Sequence, residues 1–348
     1  LEPFDKIEAK LARLKGTEAA LIFPSGFQTN STVLAALLDK HSQVAADRLV
    51  HRSIIEGLQL SQARWFRFRH NDYGQLQSRF IMNTEDGKSE PCDSVLEEQF
   101  LKNANSSSAR INGSSQNNLS RINRDKHGGL GARWLVTESI FSMDGDTCEI
   151  EDLIACSEKL GLALYIDEAH ATGVVGKDGM GLTAGLKFNG ISMGTFGKGL
   201  GSFGAYICCS ALLKEYLINF CSGMVYSTAL PPPVLGAIDA ALDLVPEMEA
   251  QRKQLQDNAL YLREALKKSG FDAGLSTSHI IPIILGNEEA AMQLSKHLEE
   301  KGYCVPAVRP PTVQAGSSRL RLSLSSVHTR VQINGLLKIL RSWHETAS

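Results

Sequence analysis

Short apolar runs alternate with amphipathic segments along most of the chain, and this alternation limits its fold more than any other feature. Eight apolar runs are predicted to be strands, at residues 44–49, 65–68, 134–137, 162–166, 191–196, 205–209, 280–285 and 320–324. Seven periodic segments are predicted to be helices, at residues 2–14, 31–38, 150–160, 212–220, 234–268, 288–301 and 331–343. Strands separated by helices of this length indicate βαβ units. The pattern therefore predicts an α/β fold with a mostly parallel central sheet, in which ligands bind at the carboxyl ends of the strands.

The 348 residues are enough for two domains. We predict a large domain over residues 1–240 and a smaller α+β domain over residues 241–348, because a run of three prolines precedes the long helical segment. Residues 82–131 are rich in Asn, Ser and Gly and are predicted to be a disordered, low-complexity insertion in the large domain. An RNA-binding loop is the alternative, disfavoured because no aromatic residue lies among its basic residues to stack on bases.

Composition excludes several classes of partner. The net charge is −2, which argues against a nucleic-acid ligand, and no apolar stretch is long enough to cross a membrane. The seven cysteines include no C-x-x-C pair, so we expect reduced thiols, no disulfide framework and no metal site. The N-terminus resembles neither a secretory signal nor a transit peptide. The cytoplasm is the expected location, with the peroxisome as the alternative if the C-terminus is trimmed.

Two short motifs are misleading. The sequence Asp167-Glu-Ala-His170 spells a helicase box, but no Walker A loop accompanies it. The glycines at positions 199, 201 and 204 match the dinucleotide-binding pattern, but a predicted strand follows them where a helix is required. Neither nucleotide hydrolysis nor nicotinamide binding is predicted.

One lysine and one carboxylate stand at the ends of neighbouring predicted strands. Asp167 comes directly after the strand predicted at 162–166, and His170 lies three residues after Asp167. Lys198 follows the strand predicted at 191–196, in a glycine-rich loop. This arrangement suits pyridoxal 5'-phosphate (PLP): the lysine forms a Schiff base with the aldehyde, and the carboxylate holds a proton on the pyridine nitrogen. A surface lysine and a helix-capping aspartate are the alternative interpretation.

Five motifs occur in order along the chain: Asp47-Arg-Leu-Val-His51, Thr137-Glu-Ser-Ile-Phe-Ser142, Tyr165-Ile-Asp167-Glu-Ala-His170, Thr195-Phe-Gly-Lys198 and Tyr226-Ser-Thr228-Ala-Leu-Pro-Pro. With them the sequence resembles the α-oxoamine synthases, which are PLP enzymes with the aspartate-aminotransferase fold (PLP fold type I). The resemblance covers nearly the whole chain except the insertion. It also implies that family members carry a further N-terminal segment ahead of the position of Leu1.

The resemblance implies a role for each matching residue. Lys198 is expected to form the Schiff base and then act as the acid/base, with Asp167 as the partner of the pyridinium. His51 is expected to stack on the ring and assist acyl transfer, and Ser142 and His170 to donate hydrogen bonds to its phenolic oxygen. Glu138 has a positional role only. The expected phosphate ligands are Ser25, Gly26 and Phe27, ahead of a helix, with Thr195 and, from the neighbouring subunit, Ser227 and Thr228. The last pair implies a homodimer with shared active sites.

The same resemblance implies the substrates, an amino acid and an acyl-CoA. Arg321 is expected to bind the amino-acid carboxylate, whereas solvated charge on an edge strand is the alternative for Arg319 and Arg321. The segments 307–316 and 224–232 most resemble the member that condenses L-alanine with pimeloyl-CoA in biotin biosynthesis. Another member that uses glycine or serine, a non-catalytic homologue acting as a dimer partner, and a PLP-dependent aldolase stay as alternatives.

Overall fold

The structure, a computed structural model, describes residues 2–82 and 132–347, so the predicted insertion lies almost entirely outside the described residues. The chain forms two compact units. The first unit consists of Leu1–Ser139 and Glu149–Val245, and the second of Ile140–Cys148 and Pro246–Ser348. The short segment Ile140–Cys148, which the sequence pattern placed in the large domain, thus belongs to the C-terminal unit.

The first unit is built on a seven-stranded sheet with the order β1-β7-β6-β5-β4-β2-β3. Its strands are β1 (Ala19–Phe23), β2 (Gln43–Asp47), β3 (Arg64–Phe68), β4 (Arg133–Glu138), β5 (Ala163–Asp167), β6 (Gly190–Thr195) and β7 (Ala205–Cys209). Strands β2 to β6 pair in parallel, and β7 runs antiparallel to both β6 and β1. This topology confirms the predicted α/β fold with a mostly parallel sheet.

Helices of the first unit cover both faces of the sheet. They are α1 (Glu2–Lys15), α2 (Gly26–Leu37), α3 (Arg52–Ser61), α4 (Tyr73–Met82), α5 (Ile150–Leu160), α6 (Ala211–Phe220), α7 (Ser222–Val225) and α8 (Pro232–Leu244). One apolar core joins α2 and α3 to one face of the sheet, and a second joins α1 and α8 to the other. The central strands are buried on both faces, so they are continuously apolar rather than alternating.

The second unit contains a three-stranded antiparallel sheet with the order β8-β10-β9. Its elements are β8 (Ile280–Gly286), β9 (Ala307–Val308), β10 (Ser318–Ser323), α9 (Glu249–Lys268), α10 (Glu288–Glu300) and α11 (Arg330–Ala347). Strand β10, which carries Arg319 and Arg321, lies between the other two, so the edge-strand interpretation of these arginines is wrong.

The predicted helix at 234–268 is two helices, α8 and α9, with a short 3₁₀ turn at Val245–Glu247 between them. Pro246 in this turn has no N–H to donate, and its ring would clash with the carbonyl four residues earlier, so a continuous helix cannot form. Helix α2 also begins earlier than predicted, at Gly26, because the Ser25 side chain caps it by accepting a hydrogen bond from the Gln28 N–H. Within the described residues, we find no helix with the length and apolarity that a bilayer crossing requires.

Candidate active site

A cavity of about 220 Å³ lies in the first unit, where the strands of the parallel sheet end. Eight residues named from the sequence line it: Gly26, Phe27, His51, Glu138, Asp167, His170, Thr195 and Lys198. Four lining residues were not predicted: Asn30, Ser53, Ala169 and Met193. The fold therefore brings Lys198 and Asp167 to one cavity with His51, which lies more than a hundred positions earlier in the chain.

Asp167 is the last residue of β5, and its side chain is almost completely buried. One carboxylate oxygen, Oδ1, accepts the N–H of Ala169 at 2.8 Å, and the other, Oδ2, accepts the side-chain amide of Asn30 at 2.7 Å. These two donors fix the plane of the carboxylate while it lines the cavity. A carboxylate has about four lone-pair positions, so Asp167 can still accept a hydrogen bond from a protonated ligand nitrogen.

Lys198 and His170 both line this cavity, and Lys198 Nζ lies 2.8 Å from His170 Nε2. Their loops approach closely because two glycines face each other. A Cβ at Gly173, where φ is +85°, would lie 2.9 Å from the carbonyl carbon of Gly199, and a Cβ at Gly199 would lie 2.4 Å from the Thr172 oxygen. Only residues without a side chain permit this backbone contact, which brings the amine and the imidazole together.

His51 precedes α3, and its imidazole caps that helix by accepting the N–H of Ser53 at Nδ1, at 3.3 Å. The edge of the Phe27 ring faces the imidazole, with 6.4 Å between centroids and an interplanar angle of 83°. Partial burial, together with the positive charge of Lys198, lowers the pKa of His51, against the opposing effect of Asp167. His51 is therefore a neutral imidazole near pH 7.

Glu138 ends β4 and pairs with Asp167 of β5 in the sheet register. Its carboxyl accepts the backbone N–H of His51 at 2.5 Å. Burial and the neighbouring Asp167 raise the pKa of Glu138 well above its usual value, which favours its protonated form. The carboxyl positions the start of the His51 segment by accepting this N–H.

The N-terminus of α2 supplies an anion-binding position. No hydrogen bond to the N–H of Gly26 or Phe27 is found in the described part of the chain, and both residues line the cavity. Free N–H groups at the positive end of a helix of this length suit a phosphate. A Cβ at Gly26 would lie 3.0 Å from the terminal methyl of Met193, so a side chain at this position would crowd the cavity wall.

The other predicted phosphate ligands have partners within the chain. The Thr195 hydroxyl donates to the Gly204 carbonyl at 2.9 Å and accepts the Gly197 N–H at 3.2 Å, so its proton holds the loop that carries Lys198. The Ser227 hydroxyl is hydrogen-bonded to the Gln28 side-chain amide, and Thr228 is exposed. The phosphate-binding role of these three residues stays a prediction.

Ser142 and Arg321 lie in the second unit. Arg321 Nε donates to the Ser142 carbonyl at 2.5 Å, and the neighbouring Arg319 forms an ion pair with Asp144 at 2.6 Å. The Ser142 backbone thus supports the arginine that the family pattern assigns to the substrate carboxylate. The roles predicted for both side chains toward ligands stay predictions.

Sequence reasoning missed Asn30 and Ser53. Asn30 stands in the second turn of α2, and Ser53 follows His51 by two residues. A buried asparagine within a helix is a detectable signal, because such an amide needs hydrogen-bond partners. Its partners could not be named from the sequence, since Asp167 is distant along the chain.

These groups fit PLP. An amine, a buried carboxylate, a neutral imidazole and a helix N-terminus with free N–H groups line a single cavity, and they match the aldehyde, the pyridine nitrogen, the ring face and the phosphate of that cofactor. No cluster of three His, Cys, Asp or Glu side chains that could hold a metal ion is found in residues 2–82 and 132–347.

Comparisons with known proteins agree with this chemistry. A protein of Desulfosudis oleivorans, provisionally named 8-amino-7-oxononanoate synthase, is 44% identical over 340 residues, which are 98% of this chain and 77% of that protein. A serine palmitoyltransferase variant of S. paucimobilis, with a bound PLP–myriocin adduct, superposes with a TM-score of 0.82 at 25% identity over 99% of this chain and 77% of that chain. The 8-amino-7-oxononanoate synthase of Francisella tularensis gives a TM-score of 0.76 at 27% identity, over 100% of this chain and 88% of its own.

The sequence profile of the aminotransferase class I and II family matches residues 3–340. This range includes both units of the structure and every residue of the cavity. With this match and the high identity to the relative from Desulfosudis oleivorans, the chain belongs to the class I and II aminotransferase family.

Proposed function

We propose that the chain is a PLP-dependent acyltransferase of the α-oxoamine synthase type, which condenses L-alanine with pimeloyl-CoA. The products are 8-amino-7-oxononanoate, CoA and CO₂, and the reaction belongs to biotin biosynthesis. The observation that carries the proposal is the single cavity in which Lys198, Asp167 and His51 meet beside the N-terminus of α2. The names of the relatives support the choice of substrates.

The cofactor, when bound, draws electrons from a bond at the α-carbon of the amino acid. Lys198 would hold it through its amine, and the N–H groups of Gly26 and Phe27 would bind its phosphate. Asp167 would hold a proton on the pyridine nitrogen, because its carboxylate is fixed by the Asn30 amide and the Ala169 N–H and lines the cavity. Held by these two donors, the Asp167 carboxylate would stabilise the protonated nitrogen without reorganisation at the moment of reaction.

Lys198 is the group that would move the substrate proton. Its amine lies 2.8 Å from His170 Nε2, so the imidazole limits the positions that a flexible side chain can reach. A neutral amine held at the α-carbon of alanine accepts the proton there and returns it to the product carbon. His170 therefore acts on the position of Lys198 as well as on the bound ring.

His51 would act on the acyl group. Its lowered pKa favours the neutral ring, and its Nδ1 accepts the backbone N–H of Ser53, which would leave the ring proton on Nε2. An Nε2–H donor stabilises negative charge that develops on the thioester oxygen. Arg321 would bind the carboxylate of alanine through its guanidinium, which forms paired hydrogen bonds with carboxylates. We further propose a homodimer in which Ser227 and Thr228 of each subunit complete the site of the other.

The experiment that tests this proposal supplies the purified chain and PLP with each pair of amino acid and acyl-CoA, and measures the release of free thiol. L-Alanine, L-serine and glycine are each combined with acetyl-CoA, pimeloyl-CoA and palmitoyl-CoA. The highest kcat/KM is expected for L-alanine with pimeloyl-CoA, and no release is expected from the Lys198→Ala variant. Preferential use of L-serine with palmitoyl-CoA would instead assign the activity of the structural neighbour from S. paucimobilis, and release by Lys198→Ala would overturn the mechanism.

A further inference from the structure

Asn30 occupies the centre of a buried hydrogen-bond network in the wall of the cavity. Only 1% of this residue is exposed. Its amide nitrogen Nδ2 donates to Asp167 Oδ2 at 2.7 Å and to Ser53 Oγ at 2.9 Å, and its oxygen Oδ1 accepts the hydroxyl of Tyr165 at 2.8 Å. One side chain of α2 is thus joined to β5 and to the start of α3.

The chemistry of these groups allows one direction for each hydrogen bond. An ionised carboxylate can only accept, so the NH₂ group of Asn30 must face Asp167 and its oxygen must face Tyr165. The Tyr165 hydroxyl then has to donate. Burial and the charge of Asp167 raise the pKa of Tyr165 well above its usual value, so the hydroxyl keeps its proton at neutral pH.

The same direction continues to His51. Because Ser53 Oγ already accepts from Asn30, its own proton is available for His51 Nδ1, which lies 2.8 Å away. The backbone N–H of Ser53 points to the same nitrogen at 3.3 Å. With two donors directed at it, Nδ1 must carry the lone pair, so the proton of the neutral ring is on Nε2.

We propose that Asn30 is a positioning residue that sets two groups with one amide: the orientation of the Asp167 carboxylate and the tautomer of His51. Tyr165 fixes the amide, and Ser53 transmits its direction to the imidazole. The consequence for catalysis rests on the proposed function, whereas the tautomer is a property of this network alone. No contact between Asn30 and substrate or cofactor is needed for either effect.

The ionisable groups beside His51 are Asp167, Lys198 and Glu138, the last through the His51 backbone N–H. Asp167 favours the protonated imidazole and Lys198 disfavours it. Without the Asn30 amide, the Ser53 hydroxyl can turn and accept a hydrogen bond from Nδ1, which makes that nitrogen available for a proton, so replacing Asn30 should raise the pKa of His51. A change of this kind appears in a pH titration of the ring even if the fold and the cavity are intact.

The test measures the tautomer directly. The full chain is prepared with ¹⁵N-labelled histidine, with and without PLP, and the ring nitrogens of His51 are assigned by comparison with His51→Gln. In the unaltered protein we expect the Nε2–H form. In Ser53→Ala, which removes the hydroxyl donor at Nδ1, and in Asn30→Ala, which removes the amide that directs this hydroxyl, we expect a mixture of tautomers and a higher ring pKa, although both variants keep the backbone donor of Ser53.

Ser31→Ala is the matched control, because Ser31 adjoins Asn30 on α2 and its hydroxyl donates only to carbonyls of the same helix. It should leave the tautomer unchanged. Tyr165→Phe removes the group that orients the amide and should also give mixed tautomers, so the proposal stays testable if Asn30→Ala does not fold. With active substrates, Asn30→Ala should lower kcat about tenfold, the rate equivalent of one lost hydrogen bond, with a smaller change in KM.

A predominant Nδ1–H form in the unaltered protein would overturn the inference, as would an unchanged tautomer in both Asn30→Ala and Tyr165→Phe. The outcome is separate from that of the substrate assay. If no substrate pair reacts but the tautomer shifts as described, the proposed function fails and the role of Asn30 stands.

Discussion

Asp167 and Glu168 are consecutive residues, yet their carboxylates have opposite surroundings. Glu168 is fully buried: its oxygens accept the Lys15 ammonium and both the hydroxyl and the N–H of Thr183. Lys15 in turn also donates to the Met180 carbonyl and the Thr183 hydroxyl, at 2.9 and 2.7 Å, so its three donors are all used. Asp167 has two donors and faces the cavity. The closed network, around Glu168, stabilises the fold. The open network, around Asp167, leaves an acceptor for a ligand.

The two lysines show the same contrast. Lys15 is almost completely buried against Glu168, whereas Lys198 is exposed to the cavity with its amine beside His170. A covalent cofactor needs an amine that a ligand can reach. The comparison therefore predicts large stability effects at the closed network, and large effects on the cofactor at the open one.

The largest expected effect on stability is that of Glu168→Ala. This change leaves the Lys15 charge buried without a counter-charge, and it should lower the free energy of unfolding by about 3–5 kcal/mol. Denaturation by urea, followed by circular dichroism, measures the loss. Asp167→Asn is the comparison: it should cost less stability and abolish the visible absorption of bound PLP. Equal destabilisation by both variants would contradict the distinction between the two networks.

Replacing both partners of the buried pair should restore much of that loss. In the double variant Lys15→Met with Glu168→Gln no buried charge remains, and the glutamine oxygen can still accept the Thr183 N–H. We expect a free energy of unfolding within about 2 kcal/mol of the unaltered protein, since apolar or neutral replacements of buried ion pairs are often close to neutral. If the double variant were no more stable than Glu168→Ala, the Lys15–Glu168 pair would contribute to the free energy of unfolding through more than its charges.

Disrupting the contact between the loops that carry Gly173 and Gly199 should have a smaller effect. Gly173→Ala introduces a Cβ at φ +85° and against Gly199, and it should cost about 1–3 kcal/mol and weaken PLP binding by separating Lys198 from His170. Absorbance titration with PLP measures the affinity. Gly201→Ala is the matched control: φ there is +62°, but nothing lies within 4 Å of an added Cβ, so only backbone strain is expected. If Gly173→Ala and Gly201→Ala lost the same PLP affinity, the close approach of the loops at Gly173 and Gly199 would not be what PLP binding requires.

The smallest effect expected, when it is taken for a single pH unit, is a change in the pH dependence of stability. The pKa of Glu138 in the folded protein lies well above the ordinary carboxyl value of 4.5. Above pH 4.5 the folded state therefore binds more protons than the unfolded state. The stability contribution of Glu138 is therefore complete at low pH and declines as pH rises toward the folded-state pKa. Glu138→Gln should become more stable relative to the unaltered protein by about 1.4 kcal/mol for each pH unit in this window.

Thermal unfolding at several pH values between 4 and 7 measures this difference for Glu138→Gln. Glu149→Gln, at an exposed position before α5, is the control and should show no such trend. A constant difference between Glu138→Gln and the unaltered protein across the range would show that Glu138 is ionised when folded.

The fold class, the family and the cofactor could be predicted from the sequence, because they depend on local signals. The alternation of strands and helices predicts the parallel sheet, and ordered motifs around Asp167 and Lys198 predict PLP. The topology and the family match over residues 3–340 confirm all three. Elements bounded by weaker signals were missed, such as β1 and α3, which are short and follow other elements closely.

The two buried networks, around Asn30 and around Lys15, could not be predicted, because they depend on contacts between distant segments. Asn30 meets Asp167 across 137 positions in the chain, and Lys15 meets Glu168 across 153. Nothing in the sequence around Lys15, a residue in the last turn of an amphipathic helix, marks it as buried. Burial of such groups is decided by packing, which local periodicity does not specify.

The most direct test of the account identifies the lysine that holds PLP. The full chain is loaded with PLP, reduced with sodium borohydride to make the linkage permanent, digested and analysed by mass spectrometry. The account predicts that the phosphopyridoxyl group is found on Lys198 and is absent from the Lys198→Ala variant. Modification of Lys15 or another lysine in place of Lys198, or no stable modification, would contradict it.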